Sequence, residues 1–107
     1  METKRTEFAS KAFRFSKLEE DVEIGRAYLF IIRNDLHKKP YGLLEDVFIN
    51  ENYRGKGVAT ELVQEVIREA QRQECYKLIC NAKIGVHGLY TQLGFRVSDL
   101  GLRMDFK

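Results

Sequence analysis

The residues best suited to chemistry on an anion are Arg54-Gly55-Lys56-Gly57-Val58-Ala59-Thr60. Gly55 and Gly57 remove side chains where a ligand must approach the backbone closely. An amphipathic helical pattern begins at Val58. The first turn of a helix carries unpaired N–H groups at the positive end of its dipole. A glycine turn feeding such a terminus suits a pyrophosphate, and Arg54 and Lys56 add mobile positive charge. Three related motifs fail on the same letters. A Walker A loop needs Ser or Thr after Gly-Lys at the end of a longer spacing, and here Lys56 is followed by Gly57 and Gly57 by Val58. A dinucleotide fingerprint needs Gly or Ala where Thr60 stands. A KH loop needs Gly-x-x-Gly, one residue longer than Gly55-Lys56-Gly57.

The flanking elements must hold this loop in place. Apolar and polar residues interleave over 8–18, which reads as a strand, and Glu19-Glu20-Asp21 as a turn. Residues 22–33 are rich in aromatic and β-branched types and form a second strand. Asn34, Asp35 and the only proline, Pro40, mark a loop before a third strand over 41–50. Val58, Leu62, Val66 and Ala70 then recur every four residues beside Val63 and Ile67, one apolar stripe of a helix. Residues 76–80 read as a short strand. The intervening helix makes it a parallel neighbour of the third strand. A second helix is expected over 86–93, closed by Gly94, and a final strand pair over 95–98 and 102–106, around Gly101. The order β-β-β-α-β-α-β-β describes one α/β domain over 1–107, with a mixed, mainly antiparallel sheet flanked by helices.

Bulk properties exclude several classes. At 107 residues, 44% hydrophobic and 32% charged, the chain reads as a single globular unit. Its longest early apolar run, residues 27–32, falls far short of the roughly 20 residues that span a bilayer. Met1 to Ser10 contains no apolar core of a signal peptide, so no membrane role and a cytoplasmic location are expected. Cys75 and Cys80 flank a helix-to-strand passage and are expected to stay reduced. No His or Cys spacing suits zinc, so no metal is expected. A net charge of +2 is too small a bias to argue for nucleic acid.

A second segment sharpens the reading. Arg54-Gly55-Lys56-Gly57-Val58-Ala59 resembles the acetyl-CoA signature of the GNAT superfamily of acetyltransferases, (Gln/Arg)-x-x-Gly-x-(Gly/Ala). Gly88-Leu89-Tyr90-Thr91-Gln92-Leu93-Gly94-Phe95 resembles that family's second signature, a Tyr followed after two variable residues by Leu-Gly-Phe. The two stand in the family's order, and the resemblance covers roughly residues 22–107.

The resemblance implies roles. Val47, Phe48 and Ile49 would lie on a strand that splays from its neighbour and pairs with the pantetheine arm of acetyl-CoA. The backbone of Arg54, Gly55, Lys56, Gly57, Val58, Ala59 and Thr60 would hold the pyrophosphate. Tyr90 would protonate the leaving thiolate, a step a phenol can supply. Some family members acting on amino sugars carry a Glu-Asp pair where Glu45-Asp46 stands. An attacking amine must be neutral, so a carboxylate, here Glu45, is the expected base. Regular strand alternation sends Glu45 and Asp46 to opposite faces unless a bulge intervenes. His87 is an alternative base, and Asn81 at a strand end could bond the pantetheine or cap the next segment.

These features imply an acetyl-CoA-dependent N-acetyltransferase acting on a primary amine of a small molecule or of a peptide or protein. A non-catalytic acetyl-CoA-binding sensor is the alternative. Only the enzyme requires Tyr90 and a base. Family members carry an extra strand and two helices before the matched region, where this chain has only about twenty residues ahead of Val22. The acceptor cavity is then open on one side unless a second subunit closes it. Phe8, Phe13, Phe15, Tyr28 and Phe30 are many rings for a lone small domain, so a two-fold homodimer is expected, with the N-terminal strand as one route.

Overall fold

The computed structural model describes residues 1–83 and 87–106. Four strands form one sheet in the order β1-β2-β3-β4: β1 (Lys11–Glu19), β2 (Val22–Ile32), β3 (Tyr41–Ile49) and β4 (Leu78–Cys80). β1–β2 and β2–β3 are antiparallel, and β3–β4 is parallel. The β1–β2 hairpin turns at Glu20 and Asp21, both held at positive φ. This matches the twist of the strands, as primed turns do. A single 3₁₀ turn, Glu51–Tyr53, leaves β3 and leads into the glycine loop. The helix α1 (Val58–Arg72) then crosses over to β4, the connection a parallel pair requires.

α1 presents Leu62, Val63, Val66 and Ala70 to the sheet, the stripe expected from their spacing. They meet Ala27, Leu29 and Ile31 of β2 and Leu44 and Ile49 of β3 in a single core. Burying such a side chain contributes about 1.5–3 kcal/mol, so this stripe fixes where the N-terminus of α1 sits. Lys17 of β1 ties the outer face of the helix down through Glu61 at 2.6 Å and Glu65 at 3.0 Å. Phe13 and Phe15 of β1, partly buried, pack against the core from the same side of the sheet. Tyr28 and Phe30 alternate onto the opposite face, where they stack at 6.4 Å between centroids.

α2 (Gly88–Gln92) follows β4. Its expected start at Val86 lies outside the described residues. Gly94, at φ +104°, ends it as expected, and Phe95 N–H donates to the Tyr90 carbonyl at 2.9 Å.

The closing strands expected over 95–98 and 102–106 do not form. Residues 95–106 belong to no helix and no strand ladder. Alternation specifies which face of a strand is apolar but supplies no partner, and here neither segment pairs with the other or with β4.

No helix among the described residues is long and apolar enough to cross a membrane. No cluster of three or more His, Cys, Asp or Glu among them could hold a metal ion.

Candidate active site

The site begins with a register shift. Tyr28 pairs with Glu45, but Arg26 pairs with Phe48, so β3 has one more residue than β2 between these points. The extra residue makes a β-bulge, and Asp46 takes φ +53° to accommodate it. Up to Leu44 the even-numbered residues of β3 are buried; past the bulge the buried residue is Ile49. Glu45 and Asp46 are therefore exposed in succession and line the same cleft. The bulge, and not regular alternation, decides their orientation.

That cleft has a volume of about 260 Å³ and is lined by Leu44, Glu45, Asp46, Val47, Asn81, Ala82, Lys83 and Tyr90. A second cleft of about 500 Å³ continues along β3. Val47, Phe48 and Ile49 form one of its sides, with Tyr53, Arg54, Gly55, Gly57, Val58, Ala59 and Thr60 at the loop and Leu89 and Tyr90 from α2. Val47 and Tyr90 belong to both clefts. Tyr90 thus stands at the junction of an acid-lined chamber and a loop-lined groove.

The groove has what an extended anionic ligand needs. β3 pairs with β4 only as far as Leu44–Cys80, so among the described residues no strand pairs with the β4-facing edge of residues 45–49, where the Ile49 carbonyl is taken by Arg54 Nε. Gly55 and Gly57 sit at φ +75° and +81°, and a Cβ on either would meet nothing within 4 Å. Gly57 is the N-cap of α1 and has no side-chain cap bond. By helix geometry, the N–H groups of Val58, Ala59 and Thr60 have no intrahelical acceptor. They face the groove with the positive dipole end behind them.

Arg54 has a structural task that its place in the loop did not announce. Its Nε donates to the Ile49 carbonyl at 2.8 Å. Its guanidinium lies 5.6 Å from the Phe48 ring centroid, and Arg26 approaches the same ring at 4.9 Å. Arg54 thereby pins the end of β3 to the loop. Lys56 reaches over Tyr53, 5.5 Å from its centroid.

Burial raises the Tyr90 phenol above its usual pKa of 10.0, and the neighbouring Cys80 adds to the shift. The ring is held edge-on by Phe95 at 5.7 Å. Tyr90 therefore keeps its proton at neutral pH. Cys75 and Cys80 are free thiols, raised chiefly by burial.

All the residues expected at the site except Lys56 and the alternative base His87 line one cleft or the other. Asn81 lines the acid-lined chamber and not the loop groove. His87 is at the N-cap of α2, where its carbonyl accepts from Tyr90 and Thr91 N–H; it lines neither cleft. Ala82 and Lys83 in the chamber and Tyr53 and Leu89 in the groove were not foreseen. Tyr53, an aromatic residue directly before the Arg-Gly loop, carried a usable signal. Lys83 carried none, since only the chain path after β4 brings it into the chamber with Glu45 and Asp46.

Known proteins resemble this chain in sequence and fold. The chain is 31% identical over 64 residues to a glucosamine 6-phosphate N-acetyltransferase of Trypanosoma brucei brucei, an alignment covering 60% of this chain and 44% of the relative. It is 37% identical over 73 residues to a probable glucosamine 6-phosphate N-acetyltransferase of Drosophila melanogaster, covering 67% of this chain and 33% of the relative. The chain thus spans less than half the length of these curated relatives. Among solved structures, a putative acetyltransferase from Agrobacterium tumefaciens str. C58 superimposes with a TM-score of 0.83 at 26% identity, covering 89% of this chain and 69% of the other. The model of the acetyltransferase (GNAT) family matches residues 2–95. With the bulged strand, glycine loop and tyrosine in the order described, the chain belongs to the GNAT acetyltransferase family.

Proposed function

We propose that this chain transfers an acetyl group from acetyl-CoA to a primary amine by direct attack. The observation that carries the reading is the position of Tyr90, a phenol that keeps its proton, between a chamber lined by two carboxylates and a groove built for an extended anion. The groove suits the cosubstrate in volume, within the roughly 300–1,000 Å³ typical of ligand sites. It also suits it in chemistry, through the edge of β3 that no described strand pairs and the N–H groups at the start of α1. Acetyl-CoA supplies an activated acetyl thioester, and the remaining tasks fall to the chain.

Val47, Phe48 and Ile49 offer backbone N–H and C=O groups to the amides of the pantetheine arm. The loop from Arg54 to Thr60 receives the pyrophosphate through its backbone, with Arg54 holding that loop against β3. Glu45 takes a proton from the incoming ammonium, directly or through water, so that the nitrogen lone pair can attack. The new nitrogen–carbon bond forms, Tyr90 Oη gives its proton to the sulfur as the carbon–sulfur bond breaks, and the proton that the acetylated nitrogen sheds returns through water to the Tyr90 oxygen. Asn81 and Lys83 line the acceptor side.

The acceptor class that the relatives favour is an amino sugar phosphate, since both curated relatives are described as glucosamine 6-phosphate N-acetyltransferases. The Glu45-Asp46 pair in the chamber supports a hydroxyl-rich acceptor, because carboxylates accept hydrogen bonds from sugar hydroxyls. The reading also includes two copies of the chain working together, since the chamber is open and, among the described residues, both outer strands of the sheet, β1 and β4, have unpaired edges.

Release of free coenzyme A thiol, followed with glucosamine 6-phosphate and with a lysine peptide as acceptors, tests the proposal. Turnover on the sugar phosphate, slowed by about 10²-fold or more in Glu45→Gln, is expected. Tight coenzyme A binding with no transfer to any amine would replace the enzyme by the binding module.

A further inference from the structure

We propose that Lys83 is itself an acceptor: with acetyl-CoA in the groove and no outside amine in the chamber, the chain acetylates its own Lys83 side chain. This rests on the acetyl-transfer reading above and does not depend on the identity of the outside acceptor.

A primary amine already borders the chamber. β3 and β4 pair as far as Leu44 and Cys80. Past that pair the chamber of about 260 Å³ is lined by Glu45, Asp46 and Val47 after β3 and by Asn81, Ala82 and Lys83 after β4. Lys83 and Val47 each stand three residues beyond the last pair, and Val47, like Tyr90, belongs to both the chamber and the groove. The lysine amine rides on a flexible four-carbon stem, long enough to sweep so small a space.

Lys83 is also unengaged. It is exposed, and it joins no ion pair among the described residues, whereas Lys17 is held by Glu61 and Glu65. No other lysine among the described residues lines either cleft; Lys56, though in the loop, reaches over Tyr53. An amine tethered beside the thioester has an effective concentration on the order of millimolar or above, so it competes with a dilute free acceptor.

The transfer uses the groups already assigned. Glu45 takes a proton from the Lys83 ammonium, and the Nζ lone pair attacks the thioester carbon. The nitrogen–carbon bond forms and the carbon–sulfur bond breaks. Tyr90 Oη gives its proton to the sulfur, and the proton shed by the acetylated nitrogen returns through water to the Tyr90 oxygen. The products are an acetyl-lysine and free coenzyme A thiol. Acetylation removes the lysine charge. Lys83 is the one cation among the residues lining the chamber, so the modified chamber loses both its attraction for a phosphate-bearing acceptor and part of its room. Self-acetylation therefore shuts the chamber when acetyl-CoA is abundant and acceptor scarce.

Mass spectrometry of the full chain incubated with acetyl-CoA, intact and after peptide mapping, tests this. One acetyl group per chain is expected, at Lys83, with a rate constant independent of protein concentration. Lys83→Arg should gain none at that rate, and Tyr90→Phe should slow the gain by about 10²–10⁴-fold. Chain fully acetylated at Lys83 should lose turnover on glucosamine 6-phosphate; undiminished turnover would overturn the shut-off. An unmodified Lys83 overturns the proposal, as does acetylation spread over the exposed lysines, acetylation at the native rate in Tyr90→Phe, or a rate constant that rises with protein concentration. Thiol release with glucosamine 6-phosphate separates the two readings. Turnover with Lys83 unmodified refutes self-acetylation alone, and no transfer to either amine refutes the enzyme as well.

Discussion

Gly57 offers a graded test of the anion cradle. Its φ is +81°, and a methyl group built there would meet nothing within 4 Å. Gly57→Ala therefore adds backbone strain and no steric clash. An L-residue in the left-handed region costs about 1–2 kcal/mol. The loop is exposed and Gly57 has no side-chain cap bond, so the free alanine variant relaxes and the cost reappears when ligand must restore the cradle. At about 1.4 kcal/mol per decade, coenzyme A affinity should fall roughly 5- to 30-fold. Asn visits the left-handed region readily, so Gly57→Asn should stay near native affinity despite its larger side chain. Gly57→Glu adds a charge beside the phosphates. At about 5 Å and an effective dielectric of about 20, each unit charge pair costs about 3 kcal/mol, so binding should weaken by more than about two decades. Isothermal calorimetry on variants shown to be folded reads all three. Equal affinities for the alanine and asparagine variants would refute the conformational argument, and native affinity in a folded Gly57→Glu protein would refute the cradle itself.

Two further outcomes follow from particular residues. Tyr90→Phe should lower kcat by about 10²–10⁴-fold with coenzyme A affinity nearly unchanged. Because the Tyr90 pKa is raised above 10.0, the acid form persists through neutral pH, and the native rate should fall only as pH rises through that raised value. A pH–rate profile should show this alkaline limb in the native enzyme and lack it in the Phe variant. Glu20 sits at φ +50° in the β1–β2 turn, so Glu20→Gly should relieve more left-handed strain than it costs in chain entropy, a net gain of about 0.5–1 kcal/mol. The thermal midpoint should rise by a few degrees, and an unchanged or lower midpoint would count against the strain.

The bulge also explains how one short strand serves two purposes. Before Asp46, β3 buries Leu44 against α1 and pairs with β4; after it, no strand among the described residues pairs with its β4 side, and the strand borders the groove. A one-residue insertion changes both the facing of the side chains and the phase of burial. Arg54 then holds the far end of this strand, so its replacement would disturb the groove even if its guanidinium never touched a phosphate.

The sequence by itself determined what depends on near neighbours along the chain. The apolar stripe of α1, the three long strands, the glycine loop at a helix start and the Tyr90 segment were all legible, because helical and strand periods and positive-φ glycines are local properties. Tertiary structure alone decided what depends on pairing. Nothing local marks Asp46 as the bulged residue; the shift exists because Arg26 and Tyr28 of β2 must meet Phe48 and Glu45 at once. Likewise, the hydrogen bond from Arg54 to the Ile49 carbonyl and the place of Lys83 in the chamber that holds the two carboxylates arise from the path between elements. Residues 95–106 show the same limit from the other side. Their alternation reads as strand, but a strand is completed by backbone partners that lie elsewhere, and whether the chain or a second copy supplies them is set by the three-dimensional arrangement of edges.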